Sequence, residues 1–192
     1  MTKDEKKQRL RELYLQELDA TTHVTCPYSA YEQFVPGEGS PSAPIVFIGE
    51  APGETESKLA RPFVGRSGKL LRACIKKAGL EPNNYFITNI VKWRPPHNRT
   101  PTSQEISFCF NSYLKKELEI IHPLIICTLG ASALKGLVPL APSITKVRGQ
   151  MLHYDNISLF PTIHPAYALY NPQQQKVLLA DLQRLKSLIE TK

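Results

Sequence analysis

A carboxylate, a carboxamide and an imidazole each stand at the end of a short apolar run in this chain. Glu50 follows Ile45–Ile48, Asn89 lies near the end of Tyr85–Val91, and His164, with Pro165 behind it, follows Ser158–Ile163. A carboxylate can position or deprotonate water, an amide can pair with the edge of a heterocycle, and an imidazole can support a leaving anion. Phe63, within Pro62-Phe63-Val64-Gly65-Arg66-Ser67-Gly68, has the flat face needed to stack on a planar ligand. Taken singly, each has a plainer explanation. Glu50 could cap a helix, Asn89 could satisfy a strand end, Phe63 could be core, and a lone His before Pro is more often structural. What favours chemistry is convergence, because parallel strands would bring all these ends to one rim.

The elements that must position them follow from the apolar pattern. Strand-length runs recur at Ile45–Ile48, Tyr85–Val91, Leu124–Leu129 and Ser158–Ile163. Between them, residues 67–78 place Leu70, Leu71, Cys74, Ile75 and Ala78 at helical spacing, with Gly79 as the stop. Thr102-Ser103-Gln104-Glu105 is a capping-box pattern, opening a helix with Ile106, Cys109, Phe110, Tyr113 and Leu114 inward. Residues 131–137 form a short helix. Asn171-Pro172 opens the last one, striped by Leu178, Leu182, Leu185 and Ile189. Alternating strands and helices predict an α/β fold with a parallel sheet covered on both faces. The tract Gly49-Glu50-Ala51-Pro52-Gly53-Glu54 then reads as a tight loop at a strand's C-terminal end, and Arg94–Pro101 as a rigid basic loop.

At 192 residues and 42% hydrophobic, residues 1–192 are expected to form a single domain. Lys and Arg number 24 against 17 Asp and Glu, a net charge of +7, which favours a polyanionic partner as much as a merely Lys-rich surface. No apolar stretch nears the roughly 20 residues of a membrane span. Residues 1–18 carry both signs of charge, lack a signal-peptide core, and read as an amphipathic helix with Leu10, Leu13, Tyr14 and Leu18 on one face. The expected compartment is cytoplasmic and the default state a monomer. The four cysteines, Cys26, Cys74, Cys109 and Cys127, form no CxxC pair. Cys74 and Cys127 read as core thiols, and no disulfide is expected.

Several short tracts in order, Gly49–Glu54, Pro62–Gly68, Thr88–Lys92, Arg94–Pro96, Thr128–Gly130, Val147–Gly149 and Thr162–Pro165, resemble those of the family 4 uracil-DNA glycosylases. The resemblance runs over nearly the whole chain. It implies a three-layer α/β/α fold with a short central parallel sheet, and a DNA glycosylase that hydrolyses the bond between uracil and deoxyribose during base-excision repair. Such an enzyme flips the base out of the stack. By motif, Glu50 would hold the attacking water, with the main chain of Ala51, Pro52 and Gly53 lining the pocket floor. Phe63 would stack on uracil, Asn89 would read its O4 and N3–H edge, and His164 would donate to O2. Arg94, Lys146 and Arg148 would contact the DNA backbone, and Tyr167 or Leu169 would wedge into the vacated stack.

The sequence also departs from that family, whose iron–sulfur cluster is held by four cysteines. His23-Val24-Thr25-Cys26 offers His at the first ligand position, and Lys92-Trp93-Arg94 puts Trp93 at the third, leaving Cys26 and Cys109. Indole is no cluster ligand, so the expectation is a homologue without the cofactor. A zinc site of His23, Cys26 and Cys109 is the lesser alternative and lacks a fourth ligand. Tyr170 stands where relatives often carry Arg, and Ser57-Lys58-Leu59-Ala60 differs from the family's wording at the pocket lip. These departures keep two other functions open: a weakly catalytic DNA-binding or replication-associated homologue, and a glycosylase for another deaminated base.

Overall fold

Runs rich in Ile, Val and Phe pair as strands because their side chains alternate between two faces, and here both faces are covered. In the computed structural model the described residues are 1–18 and 33–190, the side chains of 16–18 excepted. His23 and Cys26 therefore lie outside the described residues, as does the Leu18 side chain. The central strands are β2 (Ile45–Gly49), β3 (Tyr85–Asn89), β4 (Ile125–Leu129) and β6 (Ile157–Thr162), all mutually parallel. Two edge strands complete the sheet: β1 (Glu38–Gly39) against β3 and β5 (Leu152–Tyr154) against β6, both antiparallel. The order is β1-β3-β2-β4-β6-β5. The expected parallel sheet is thus its core, corrected at both edges. Strands of two and three residues carry no readable alternation, so the apolar pattern does not mark them.

Alternation sorts the core into two layers. Val46 and Ile48 of β2, Phe86 of β3, Ile126 of β4 and Leu159 of β6 face one cluster. Ile45, Phe47, Ile87, Cys127 and Phe160 face the other. The first layer is closed by α1 (Lys3–Leu18), α4 (Ser103–Cys109), α5 (Lys115–Ile121) and α6 (Ala131–Leu137), the second by α3 (Arg66–Lys77) and α9 (Pro172–Glu190). Three short helices, α2 (Glu54–Leu59), α7 (Ile144–Val147) and α8 (Pro165–Ala168), flank the strand ends. The chain steps from β2 to β3 through α3 on one face, then back past β2 to β4 through α4 and α5 on the other. That reversal opens a crevice at the C-terminal ends of β2 and β4.

Local chemistry explains the element ends. Thr102 accepts the Glu105 N–H while the Glu105 carboxylate accepts the Thr102 N–H, so the capping box is complete. Asn171 Oδ1 accepts from the N–H groups of Gln173 and Gln174 at the start of α9. Between α4 and α5 the helix widens into a π-turn over Phe110–Leu114, a break the periodicity did not announce, and Cys109, Tyr113 and Leu114 stay inward through it. Strand β3 ends at Asn89 rather than Val91. The Ile90 and Val91 N–H groups instead donate to the Gly49 and Glu50 carbonyls, extending the β2–β3 pairing beyond the strands. Cys74 and Cys127 are core thiols, as expected, and burial pushes both thiols above their ordinary pKa.

Helix α2 ends on Ala60 at φ 48°, a left-handed position that suits glycine because a Cβ crowds the backbone there. Replacing it, Ala60→Gly, is expected to raise stability by about 0.5–1 kcal/mol. A thermal melt should show a midpoint a few degrees higher, and an unchanged or lower midpoint would mean that the turn carries no strain.

Candidate active site

Register sets the site. Gly49 of β2 pairs with Asn89 of β3, and Leu129 of β4 with Thr162 of β6, so the residues after Gly49 and Thr162 leave the sheet at one rim. A cleft of about 500 Å³ opens there. Glu50, Ala51, Pro52, Gly53, Phe63, Asn89 and His164 all line it, so the structure brings together every pocket residue that the sequence singled out. Pro52 offers no N–H, which restricts main-chain donors on that floor to its neighbours. Glu54, Glu56, Ser67, Pro95, Asn98, Arg99 and Ala166 complete the lining and had not been foreseen.

Phe63 is 4% exposed and sits at φ 53°, a conformation that a bulky residue adopts only when its surroundings impose it. Three contacts do so. Glu56 of α2 accepts the N–H groups of Val64 (2.9 Å) and Gly65 (2.7 Å) through one carboxylate oxygen. Arg72 of α3 donates to the Phe63 carbonyl (3.0 Å) and the Pro62 carbonyl (2.9 Å). Gly68 lets the helix approach, since a Cβ there would lie 2.1 Å from the Phe63 carbonyl carbon. Glu56 is the main residue that sequence reasoning missed. It lies on a short helix the apolar pattern does not mark, and its partners are set by the turn of the loop.

Asn89 is 3% exposed, and its Oδ1 is buried without a hydrogen-bond partner. Buried amide oxygens are ordinarily hydrogen-bonded, and Asn89 lines the cleft, so this acceptor is open to a partner there. Gly49 makes the arrangement possible, because a Cβ on it would meet Asn89 Oδ1 and the tip of the Phe63 ring, each at 2.4 Å. Across the cleft, His164 caps α8: its Nδ1 accepts the Ala166 N–H at 3.1 Å. A ring nitrogen that accepts a backbone N–H carries no proton of its own, which puts the proton of the neutral ring on Nε2. Burial pushes the His164 pKa below its ordinary value, with the Glu50 carboxylate pulling the other way. The Phe63 and His164 rings lie 6.3 Å apart.

Behind Asn89, Lys92 and Glu117 are both fully buried. Lys92 Nζ stands 2.7 and 2.8 Å from the two Glu117 oxygens and also donates to the Thr88 hydroxyl. Thr88 and Tyr14 of α1 donate to the same carboxylate, and burial together with Glu117 raises the Tyr14 pKa well above its usual value. Beside this network Trp93, 3% exposed, packs edge-on against Phe34 (5.0 Å) and Tyr113 (5.7 Å). Cys109 is buried in the same cluster. Among the described residues no group of three or more His, Cys, Asp and Glu could hold a metal ion.

The cationic residues divide. Lys146, on α7, is exposed. Arg148 is held by Asp181, 2.7 and 2.9 Å from its two oxygens, in a tie that Thr162 shares. Arg94 is largely covered, donates to Asn98 Oδ1 at 2.7 Å and lies 3.9 Å from Glu54. Arg99 forks onto Glu105. Tyr167, within α8, is exposed, and Leu169, just after it, is half-buried. No helix among the described residues is long and apolar enough to cross a membrane.

A family model of the uracil DNA glycosylase superfamily matches residues 36–186. A type-4 uracil-DNA glycosylase of Sulfurisphaera tokodaii is 49% identical over 88% of this chain and 82% of its own length. That of Thermotoga maritima is 43% identical over 81% and 83%. A DNA polymerase of Bacillus phage SP01 is 37% identical over 81% of this chain, which corresponds to 17% of the polymerase.

Two measurements test this geometry. Glu56→Ala strips two charge-assisted bonds from the Phe63 turn and should cost about 1–3 kcal/mol in a denaturant titration, with Glu56→Gln recovering part of it. A loss below about 0.5 kcal/mol on Glu56→Ala would show that the carboxylate does not clamp the loop. For His164, the unfolded ring binds its proton near pH 6.5 and the folded ring only at lower pH. This site therefore removes stability as pH falls below about 6.5 and has no effect above it. Ring-nitrogen NMR should show Nε2–H with a bare Nδ1 from neutral pH to below 6.5; a midpoint at or above 6.5 would contradict that.

Proposed function

The chain belongs to the uracil DNA glycosylase superfamily, in its type-4 branch, and on that premise we propose that it hydrolyses the N-glycosidic bond of deoxyuridine in DNA, leaving an abasic site. One observation carries the reading: a carboxylate, an unpaired amide acceptor, an Nε2–H imidazole and a flat ring line one cleft.

The chemistry proceeds from those groups. The uracil is flipped from the stack, because the bond to be cut is out of reach within a duplex. Its ring rests on Phe63. Asn89 Oδ1 accepts the N3–H, relieving its unpaired state, while the amide nitrogen donates to O4. Cytosine presents the inverse pattern and would leave both partners unpaired, which is a strong basis for rejection. As the C1′–N1 bond breaks, its electron pair passes to the uracil ring and charge grows at O2, where His164 Nε2–H donates. Preorganised donors at developing charge are commonly the largest catalytic term. Glu50 holds the water whose oxygen adds to C1′ and takes up its proton. Lys146 contacts a phosphate, and Tyr167 or Leu169 fills the vacated stack. Arg94 and Arg148 are given lesser parts, since Asn98 and Asp181 already engage them.

The cofactor of the branch does not fit the residues present. Trp93 stands at one ligand position, its indole offers no thiolate, and Phe34 and Tyr113 pack against it. We infer a cluster-free enzyme in which an aromatic core fills that volume. Residues 1–192 would act as one domain and as a monomer, in the cytoplasm. A second reading, a DNA-binding module serving replication, draws support from the phage polymerase that carries a similar segment.

The deciding experiment is alkali cleavage of a labelled oligonucleotide bearing one uracil. Wild type should cut it, Glu50→Ala should lose at least about 100-fold in rate, and a cytosine control should stay intact. DNA bound but uncut by wild type would favour the replication module. Asn89→Asp should lower uracil excision relative to cytosine, and unchanged discrimination would remove Asn89 from base reading. Purified protein should contain no stoichiometric iron or acid-labile sulfide; finding both at cluster levels would overturn the part given to Trp93.

A further inference from the structure

Tyr170 is 75% exposed at the turn between α8 and α9, and Tyr167 is 64% exposed one turn earlier. Neither ring is packed into the core. Arg66, which opens α3, lies over the Tyr170 ring with its guanidinium carbon 5.1 Å from the centroid. One ring face is thereby covered, and the exposure leaves the other to solvent. The cleft is adjacent: Ser67, next to Arg66, and Ala166, next to Tyr167, both line it.

The backbone under the ring is fixed. Gln175 Nε2 donates to the carbonyls of Ala168 (3.1 Å) and Leu169 (3.4 Å), and the Asn171 N–H donates to the Ala168 carbonyl. Asn171 in turn caps α9. Tyr170 thus projects from a turn anchored on both sides and presents a ring that has only its own side-chain torsions to immobilise. A cation on one face and water on the other describe a platform for a second π-system.

Resting on the glycosylase reading above, we propose that Tyr170, backed by Arg66, is a stacking site for an unpaired base next to the excised uracil, which biases the enzyme toward single-stranded DNA. In a duplex the neighbouring base is already paired and stacked, so the ring has little to offer it. In a single strand that base is free, and stacking on an aromatic ring tolerates any base because every base has a π-face.

The test uses 2-aminopurine one nucleotide to the 5′ or 3′ side of uracil in a single-stranded oligonucleotide, bound by the Glu50→Ala protein. Binding should quench its fluorescence on one side of the uracil. Adding Tyr170→Ala should abolish the quench, and Tyr170→Phe, which keeps the ring, should retain it. With Glu50 intact, Tyr170→Ala should lower kcat/KM on single-stranded uracil by about 5- to 100-fold and change duplex uracil by less than about 2-fold. Tyr170→Phe should restore it, and Arg66→Ala should cause a smaller loss in the same direction. Equal losses on both substrates, no restoration by Phe, or a quench indifferent to Tyr170 would each overturn the proposal. If wild type cut no uracil while the quench still depended on Tyr170, the glycosylase reading would fail and the stacking site would stand.

Discussion

The fully buried ion pair of Lys92 and Glu117 is the constraint on which one half of the molecule rests. Two charges taken from water cost several kcal/mol each, so they persist only with strong geometry and every remaining hydrogen bond made. Here both carboxylate oxygens face the ammonium, and Thr88 and Tyr14 satisfy what is left. The consequence is positional. Tyr14 ties the N-terminal helix down, Glu117 fixes α5, and the same pair holds Thr88, the strand residue that precedes Asn89. The Val35 N–H donates to the Lys92 carbonyl, so the segment that brings in Phe34 is tied to the same point.

The opposite wall of the cleft is held by other means. Phe63 sits in a left-handed conformation, which a bulky residue adopts only under constraint. That conformation is sustained by Arg72 on the Phe63 carbonyl, Glu56 on the next two N–H groups, and glycines at 49 and 68 that permit close approach. At His164 the backbone bond at Nδ1 leaves Nε2 as the nitrogen that carries the proton of the neutral ring.

Charge in this chain is less available than its sum suggests. Several arginines near the strand ends are engaged by carboxylates of the protein itself, Arg148 by Asp181 and Arg99 by Glu105, which makes them ties between elements as much as ligands for phosphate. The Arg148–Asp181 pair joins the segment after α7 to α9 and, through Thr162, to the end of β6. On the other face, Trp93 with Phe34 and Tyr113 provides apolar contact beside the ion pair.

The sequence alone determined the layers, the central strands, the capping box at Thr102 and the start of α9, because each is written in neighbouring residues: apolar spacing, a Thr three residues from a Glu, an Asn before a Pro. It also marked Glu50, Phe63, Asn89 and His164, since each sits in or beside a short motif. The antiparallel edges, the π-turn and helix α2 lay below what local pattern can carry. Only the tertiary structure decided the rest. Arg148 turned onto Asp181 and Lys92 paired with Glu117 are set by distances between residues far apart in the chain, while Glu56 as a loop clamp and the bare Nδ1 of His164 depend on how the backbone turns after each of them. Periodicity records which face a residue shows, whereas hydrogen-bond partnership depends on what the folded neighbours leave unsatisfied.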